Sequence, residues 1–263
     1  MKGVQTMMKF TPNARFLSTS ALAAMIALPV AMTGPNAAAA EDEPMIPGEF
    51  SANVALTTDY RFRGITQSDE NPAIQGGFDY SIGLSEMFGI YAGIWASSVD
   101  FQDGDQAKVE IDYYGGVTAE YEGIGIDVGL IYYTYPGASS GLNYDYVEGK
   151  IALSYSPIES VSLGVGYNYS PDYFASSGDF HYPNASIEYT PELGLPLPLT
   201  LSATYGYNII DDEAAFGARD YQDWSAGIAT SYKFIELKLQ YIDNDLGGSI
   251  GDPTAVFTVS ASF

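Results

Sequence analysis

The stretch VEIDYYGGVTAEYEGIGIDVGLIYYTY, Val109–Tyr135, contains two runs of period-two alternation separated by two residues. In the first run Val109, Ile111, Tyr113, Val117 and Tyr121 alternate with Glu110, Asp112, Tyr114 and Glu120. In the second, Ile124, Ile126, Val128, Leu130 and Tyr132 alternate with Gly125, Asp127, Gly129 and Tyr133. Successive side chains of a strand point to opposite faces, so each run is a strand with one apolar and one polar face. Glu122-Gly123 is a short turn between them. Every charge in the pair falls on the same side.

Working outward, the pattern recurs over Phe50–Phe62, Ile74–Leu84, Val147–Tyr155, Val161–Tyr169, Asn184–Tyr189, Leu199–Asn208, Trp224–Tyr232, Ile235–Tyr241 and Ala255–Phe263. Gly89–Val99 makes a twelfth strand whose phase is ambiguous, because Ile90 and Ile94 compete with Tyr91 and Trp95 for the apolar side. Residues 50–263 then give about 18 residues per strand with its connection, which suits tilted membrane-crossing strands of about 9–11 residues. Connections alternate in character. Those at Ser85–Met87, Glu122–Gly123, Ser156–Ser160 and Lys233–Phe234 are short, with a Pro-rich exception at Pro191–Pro198. Those at Arg63–Pro72, Phe101–Lys108, Pro136–Tyr146, Pro171–Asp179, Ile209–Gln222 and Asp243–Pro253 are longer and mostly acidic.

A soluble β-sandwich also alternates, and charge and edge composition discriminate between the two. In the eleven strands of clear phase the apolar face carries no Asp, Glu, Lys or Arg. Aromatic residues gather at both strand ends: Tyr60, Tyr132, Tyr169, Tyr207, Trp224 and Tyr241 near the long loops, and Phe50, Tyr121, Tyr155, Tyr189, Tyr232 and Phe263 near the short turns. Two aromatic girdles are what membrane interfaces select. The expected fold is therefore an all-β, transmembrane, antiparallel up-and-down β-barrel of about 12 strands over residues 49–263, and an even count places both termini on one side.

Residues 1–40 read as a cleaved signal peptide: Lys2, Lys9 and Arg15 precede the mainly apolar Leu17–Met32, and small residues run to Ala40. Ser18, Thr19, Ser20 and Pro29 shorten the apolar core below a membrane-spanning helix. Glu41–Gly48 is a short acidic lead. The whole chain has 33 acids against 10 bases, a net charge of -23, and residues 41–263 retain 7 of those bases. So acidic a chain repels phosphate backbones, and no nucleic-acid partner is expected. With no cysteine there is no disulfide framework and no thiol chemistry.

Segments along the chain resemble the TorF family of porin-like bacterial outer-membrane proteins. They are NVALTTDYRFRGITQSDENPAIQGGFDY (Asn53–Tyr80), WASSVDF (Trp95–Phe101), IDYYGGVTAEY (Ile111–Tyr121), YYTYPG (Tyr132–Gly137), SPDYF (Ser170–Phe174), DYQDWSAGI (Asp220–Ile228) and the terminal VFTVSASF. The resemblance covers nearly all of residues 41–263. It implies a barrel in the outer membrane and passive permeation, and brings no substrate or site.

If the uncharged face meets lipid, the other face lines a lumen with Asp59, Arg61, Arg63, Asp79, Glu110, Asp112, Asp127, Glu148, Lys150, Glu188 and Lys238, together with Glu120 and Glu236. Acids dominate this set, so the expected function is an outer-membrane porin-like channel for small solutes that favours cations or neutral molecules. Water could fill the lumen, or its charges could pair into a solid plug. The inner-face glycines and serines favour open space, and inward Tyr114, Tyr133 and Tyr135 narrow it. Arg61 and Arg63 could oppose Glu110, Asp112 and Glu148 across the bore, or Arg63 could pair locally with Asp69 or Glu70.

The alternatives are a nonconducting structural or adhesive barrel and a lipid-modifying enzyme. His181, followed by Tyr182, Pro183 and Asn184, lacks the His-x-Ser arrangement of some barrel hydrolases, and no catalytic residue is assigned. Asp243, Asn244, Asp245 and Asp252 lack the spacing of an EF-hand, so no metal site or other cofactor is expected. Expected partners are outer-membrane lipid and lipopolysaccharide, small solutes, and the barrel insertion machinery, which would read the terminal Phe263.

Overall fold

The computed structural model describes residues 47–248 and 251–263; the expected signal peptide and most of the acidic lead lie outside the described residues. Twelve strands form one closed antiparallel barrel: β1 (Glu49–Thr57), β4 (Ala73–Gly83), β5 (Phe88–Ser98), β6 (Val109–Tyr121), β7 (Ile124–Thr134), β8 (Tyr146–Ile158), β9 (Val161–Ser170), β10 (Phe180–Tyr189), β11 (Leu199–Ile210), β12 (Tyr221–Tyr232), β13 (Ile235–Asn244) and β14 (Thr254–Ser262). Each strand pairs with its neighbours in sequence. β14 closes on β1, with Asn53 opposite Ser262 and Thr57 opposite Thr258. Ala52 and Phe263 exchange backbone hydrogen bonds of 3.1 and 2.9 Å, so the carboxyl-terminal residue completes the seam. Among the described residues, no helix is long and apolar enough to cross a membrane.

The exterior is apolar. Leu56, Ile74 and Leu130 are 58%, 64% and 63% exposed, with Phe78, Val128, Ile151, Val165 and Leu239 in the same outward phase. A folded chain that turns this much aliphatic surface outward has exchanged water for lipid on that side. The ambiguous strand is settled: in β5, Phe88, Ile90 and Ile94 point outward, while Trp95 is 2% exposed and faces the interior. Tyr91 shares the phase of Trp95, and the even residues take the lipid side.

Three strand expectations are corrected. The first strand does not run to Phe62; β1 ends at Thr57, and the chain turns inside the barrel to form a hairpin, β2 (Arg61–Phe62) and β3 (Ile65–Thr66). Alternation continued through Tyr60 and Phe62 because the hairpin also has one apolar face, but that face meets the interior. Tyr60 is buried against Trp95 at 5.5 Å between ring centroids and belongs to no girdle. The segment read as an exterior loop from Arg63 therefore starts within the bore.

The third correction is at Pro183, which ended the expected strand at Asn184. β10 begins instead at Phe180 and passes through the proline. Its pairing with β9 is continuous, Pro183 lying opposite Tyr167, whereas its paired register with β11 skips from His181 to Asn184. A proline has no N–H to donate, and one interrupted edge accommodates it.

Candidate functional site: an inward hairpin in the outer half of the barrel

The Asp59 carboxylate organises the hairpin. It accepts from Arg61 Nε at 2.5 Å, Thr66 Oγ1 at 2.7 Å and Ser68 Oγ at 3.0 Å. Arg61 also reaches Glu70 at 3.2 Å and the Gly64 carbonyl at 3.2 Å. Arg63 and Gly64 occupy the two tip positions with φ of 48° and 81°, the double left-handed conformation of a type I′ turn. Gly64 suits it; Arg63 is an uncommon choice there.

That tip places Arg63 against the barrel wall. Arg63 is 1% exposed; its Nη2 lies 2.6 Å from Glu148 Oε2 and its Nη1 donates to the Tyr173 hydroxyl at 3.3 Å. Its Cζ sits 4.6 Å from the Phe62 ring centroid, 4.7 Å from Phe180 and 4.4 Å from Tyr182, which is cation–π range. Glu148 also accepts from Asn168 at 2.8 Å. Of the two arrangements open from sequence, Arg63 takes the one across the bore, while Arg61 pairs with Asp59 and Glu70 and also donates to the Asp252 carbonyl at 3.2 Å.

Every barrel strand contributes a buried residue at the long-loop half. They are Thr57, Ala73, Trp95, Asp112, Tyr133, Glu148, Asn168, Tyr182, Asn208, Asp223, Asn244 and Val256, each at most 8% exposed. With the hairpin tip among them, this half is a packed core. Above it Phe101, Tyr135, Tyr144 and Phe174 join the loops, the Tyr144 and Phe174 rings stacking at 4.3 Å. Exposed loop acids serve as ties: Lys108 beside Asp100 (2.8 Å) and the Ser139 hydroxyl and amide on Asp105 hold both carboxyls below their ordinary range.

The short-turn half is different. Ser51, Asn53, Asp79, Ser81, Tyr91, Asp127, Ser154, Ser186, Glu188, Ser202, Lys238, Thr258 and Ser260 remain partly accessible, so a vestibule opens on that side. Its floor is set by tyrosines: Tyr91 donates to Asp127 at 2.8 Å, where Lys150 also pairs at 2.7 Å, and Tyr114 donates to Asp79. Glu188, Glu236 and Lys238 form a second charged group.

The glycines of the inner face do not simply leave open space. A Cβ on Gly93 would lie 2.5 Å from the Tyr114 ring, and one on Gly206 would lie closer still to the Tyr182 hydroxyl and ring edge. These glycines seat tyrosines across the neighbouring strand. Gly206→Ala is therefore expected to displace Tyr182 from Arg63 and to cost about 1–3 kcal/mol, as overpacking does; the midpoint of the heat-induced gel-mobility change measures it.

Of the charged residues expected on the lumen, Glu110, Asp112, Glu148 and Lys150 are buried on barrel strands, and Asp59, Arg61 and Arg63 are buried in the hairpin segment. Glu110 and Asp112 are buried together on β6, with Glu110 Oε2 and both Asp112 oxygens lacking hydrogen-bond partners. Sequence reasoning missed Asp223, which accepts from Asn208 at 2.9 Å and Tyr182 at 3.1 Å. It also missed Phe180 and Tyr182, cut off by Pro183, and Tyr173, which sits in a loop. His181 points outward and meets the Tyr167 hydroxyl at 2.6 Å. Asp245 ties to Arg219 at 3.6 Å. Among the described residues, no three His, Cys, Asp or Glu side chains converge as a metal-ligand set.

Comparison with known proteins gives a family and a fold. A model of a bacterial family described as "Bacterial protein of unknown function (Gcw_chp)" matches residues 41–263. No curated protein matches by sequence. Among solved structures, the COG4313 outer membrane channel from Pseudomonas putida F1 superposes with a TM-score of 0.52 at 10% identity, covering 84% of this chain and 96% of that one. The KdgM porin gives 0.52 at 9% identity over 81% and 98% of the two chains, and the NanC porin 0.50 at 10% over 82% and 99%. At such identities the likeness is one of fold.

Proposed function

The chain belongs to the Gcw_chp family of bacterial proteins of unknown function, and from the barrel itself we propose that it is an outer-membrane channel for small cationic or neutral solutes. The observation that carries this reading is the contrast between the two faces: aliphatic outside, and inside a vestibule that ends beneath a hairpin whose strands pair only with each other. The resemblance of Asn53–Tyr80 to TorF-family sequences supports it, and the matched residues 41–263 begin where the expected signal peptide ends. The partly accessible interior acids, Asp79 and Glu188 among them, would concentrate cations in the path.

The test is reversal potential across a salt gradient in planar bilayers. Asp79→Asn with Glu188→Gln should move it toward anions, and the native preference should weaken from 0.1 M to 1 M salt, as the screening length falls from about 10 Å to about 3 Å. Anion preference in the native protein would remove the charge argument. A second reading, a nonconducting structural barrel, is favoured by the packed outer half, and a flat current trace with folded protein would select it.

Phe263 supports an assembly role. It is 71% exposed, rests 5.5 Å from Phe234, and closes the seam through its backbone. Losing one such lipid-facing ring costs only about 1.5–3 kcal/mol. Deleting Phe263 should therefore leave the chain in the periplasm while the refolded variant stays heat-modifiable; normal outer-membrane levels of the variant would remove the signal.

A further inference from the structure

Arg63 is held as a bound cation is held. The groups around its guanidinium divide by origin: Glu148, Phe180 and Tyr182 belong to barrel strands, and Tyr173 to the connection from β9 to β10, while only Phe62 travels with the hairpin. Withdrawal of the tip would leave in the wall a desolvated carboxylate flanked by three aromatic rings, in a space the size of an arginine side chain. A carboxylate set among aromatic rings is the chemistry that recognises guanidinium and alkylammonium groups.

Three further observations show that the tethered arginine fills this place incompletely. Its Nε is buried without a hydrogen-bond partner. Its backbone sits in the left-handed region at φ 48°, a conformation costly for a residue with a Cβ. Arg63 also pairs with Glu148 alone, while Asp112 keeps two buried oxygens and Glu110 one without a hydrogen-bond partner. Buried oxygens without partners are expensive, so the wall has use for more hydrogen-bond donors than the hairpin supplies.

We propose that the outer half of the barrel contains a binding site for organic cations of the guanidinium or alkylammonium class, which Arg63 occupies in this conformation as a tethered competitor. Glu148 receives the cationic head, Phe180, Tyr182 and Tyr173 cover it, and Glu110 and Asp112 favour ligands with a second positive group. The site deepens the channel reading by naming a solute class, but its existence requires no conduction.

The probe is agmatine, which carries a guanidinium and an ammonium on one short chain, titrated calorimetrically into the refolded protein in micelles. Arg63→Ala should bind it at least about tenfold more tightly than wild type, because a site occupied by its own chain is rarely competent. Arg63→Ala with Glu148→Gln should lose the gain, and 1,4-butanediol should bind to neither. A heat-modifiable Arg63→Ala protein that binds agmatine no better than wild type would overturn the proposal, as would tight binding that survives Glu148→Gln.

Should Arg63→Ala fail to fold, wild type still decides. Millimolar agmatine should speed thermolysin cutting at Arg61–Phe62 or Gly64–Ile65, with cleavage of a control substrate unchanged; an unaltered rate there sinks the site. A barrel that binds agmatine but passes no current ends the channel reading and keeps the site. One that conducts without binding does the reverse.

Discussion

Replacing Arg61–Thr66 by two glycines is expected to open the bore and raise single-channel conductance in planar bilayers by about tenfold or more, since a packed constriction dominates the resistance of the path. The hairpin can be removed without breaking a barrel strand pair: β2 and β3 pair only with each other. Its ends are also adjacent, because the Gln67 amide donates to the Tyr60 carbonyl at 2.7 Å. What leaves is Phe62 and Arg63, with the Gly64 carbonyl that accepts from Asn244 at 2.9 Å and the Arg61 guanidinium that donates to the Asp252 carbonyl at 3.2 Å. What remains is a twelve-stranded cylinder, wider than the eight-stranded barrels that side chains fill unaided. The control is mobility on gels, where the variant should still shift on heating. If it folds and its conductance stays at the wild-type level, the wall side chains alone fill the outer half, and the nonconducting reading takes over.

The barrel was legible because lipid and lumen act on alternate residues of every strand, so period-two patterning records both at once. Glu110, Asp112 and Asp127 could be placed inside from their neighbours Ile111, Tyr113 and Val128 alone. The plug was not legible for the same reason. Arg61, Phe62 and Arg63 continue the parity of β1, and a hairpin whose apolar face meets the interior has the same period as a strand whose apolar face meets lipid. Only Arg63-Gly64, as a two-residue turn, marked the reversal, and an arginine at its first position hides that signal. Phe180 and Tyr182 were lost behind Pro183, whose effect depends on which neighbouring strand would have received its missing N–H. Tyr173 lies in a loop, where alternation says nothing.

Glu148→Ala is the substitution expected to cost the most stability, about 3–5 kcal/mol, because it leaves the Arg63 guanidinium buried without its counter-charge. The cost has several parts. The ion pair is lost, Asn168 Nδ2 loses its acceptor at 2.8 Å, and the aromatic cage that suits a paired cation cannot replace the carboxylate. Glu148→Gln should cost less, since its one amide oxygen keeps an acceptor for either Asn168 or Arg63. Arg63→Met combined with Glu148→Met should recover most of the loss, as replacing both members of a buried pair by apolar side chains often does. Urea midpoints of the refolded variants in micelles give the series. A loss below about 1 kcal/mol for Glu148→Ala would place the pair in the range of hydrated surface ion pairs. The outer half would then be wet in solution, and the constriction would have to lie in the loops above it, where Phe101, Tyr135, Tyr144 and Phe174 pack.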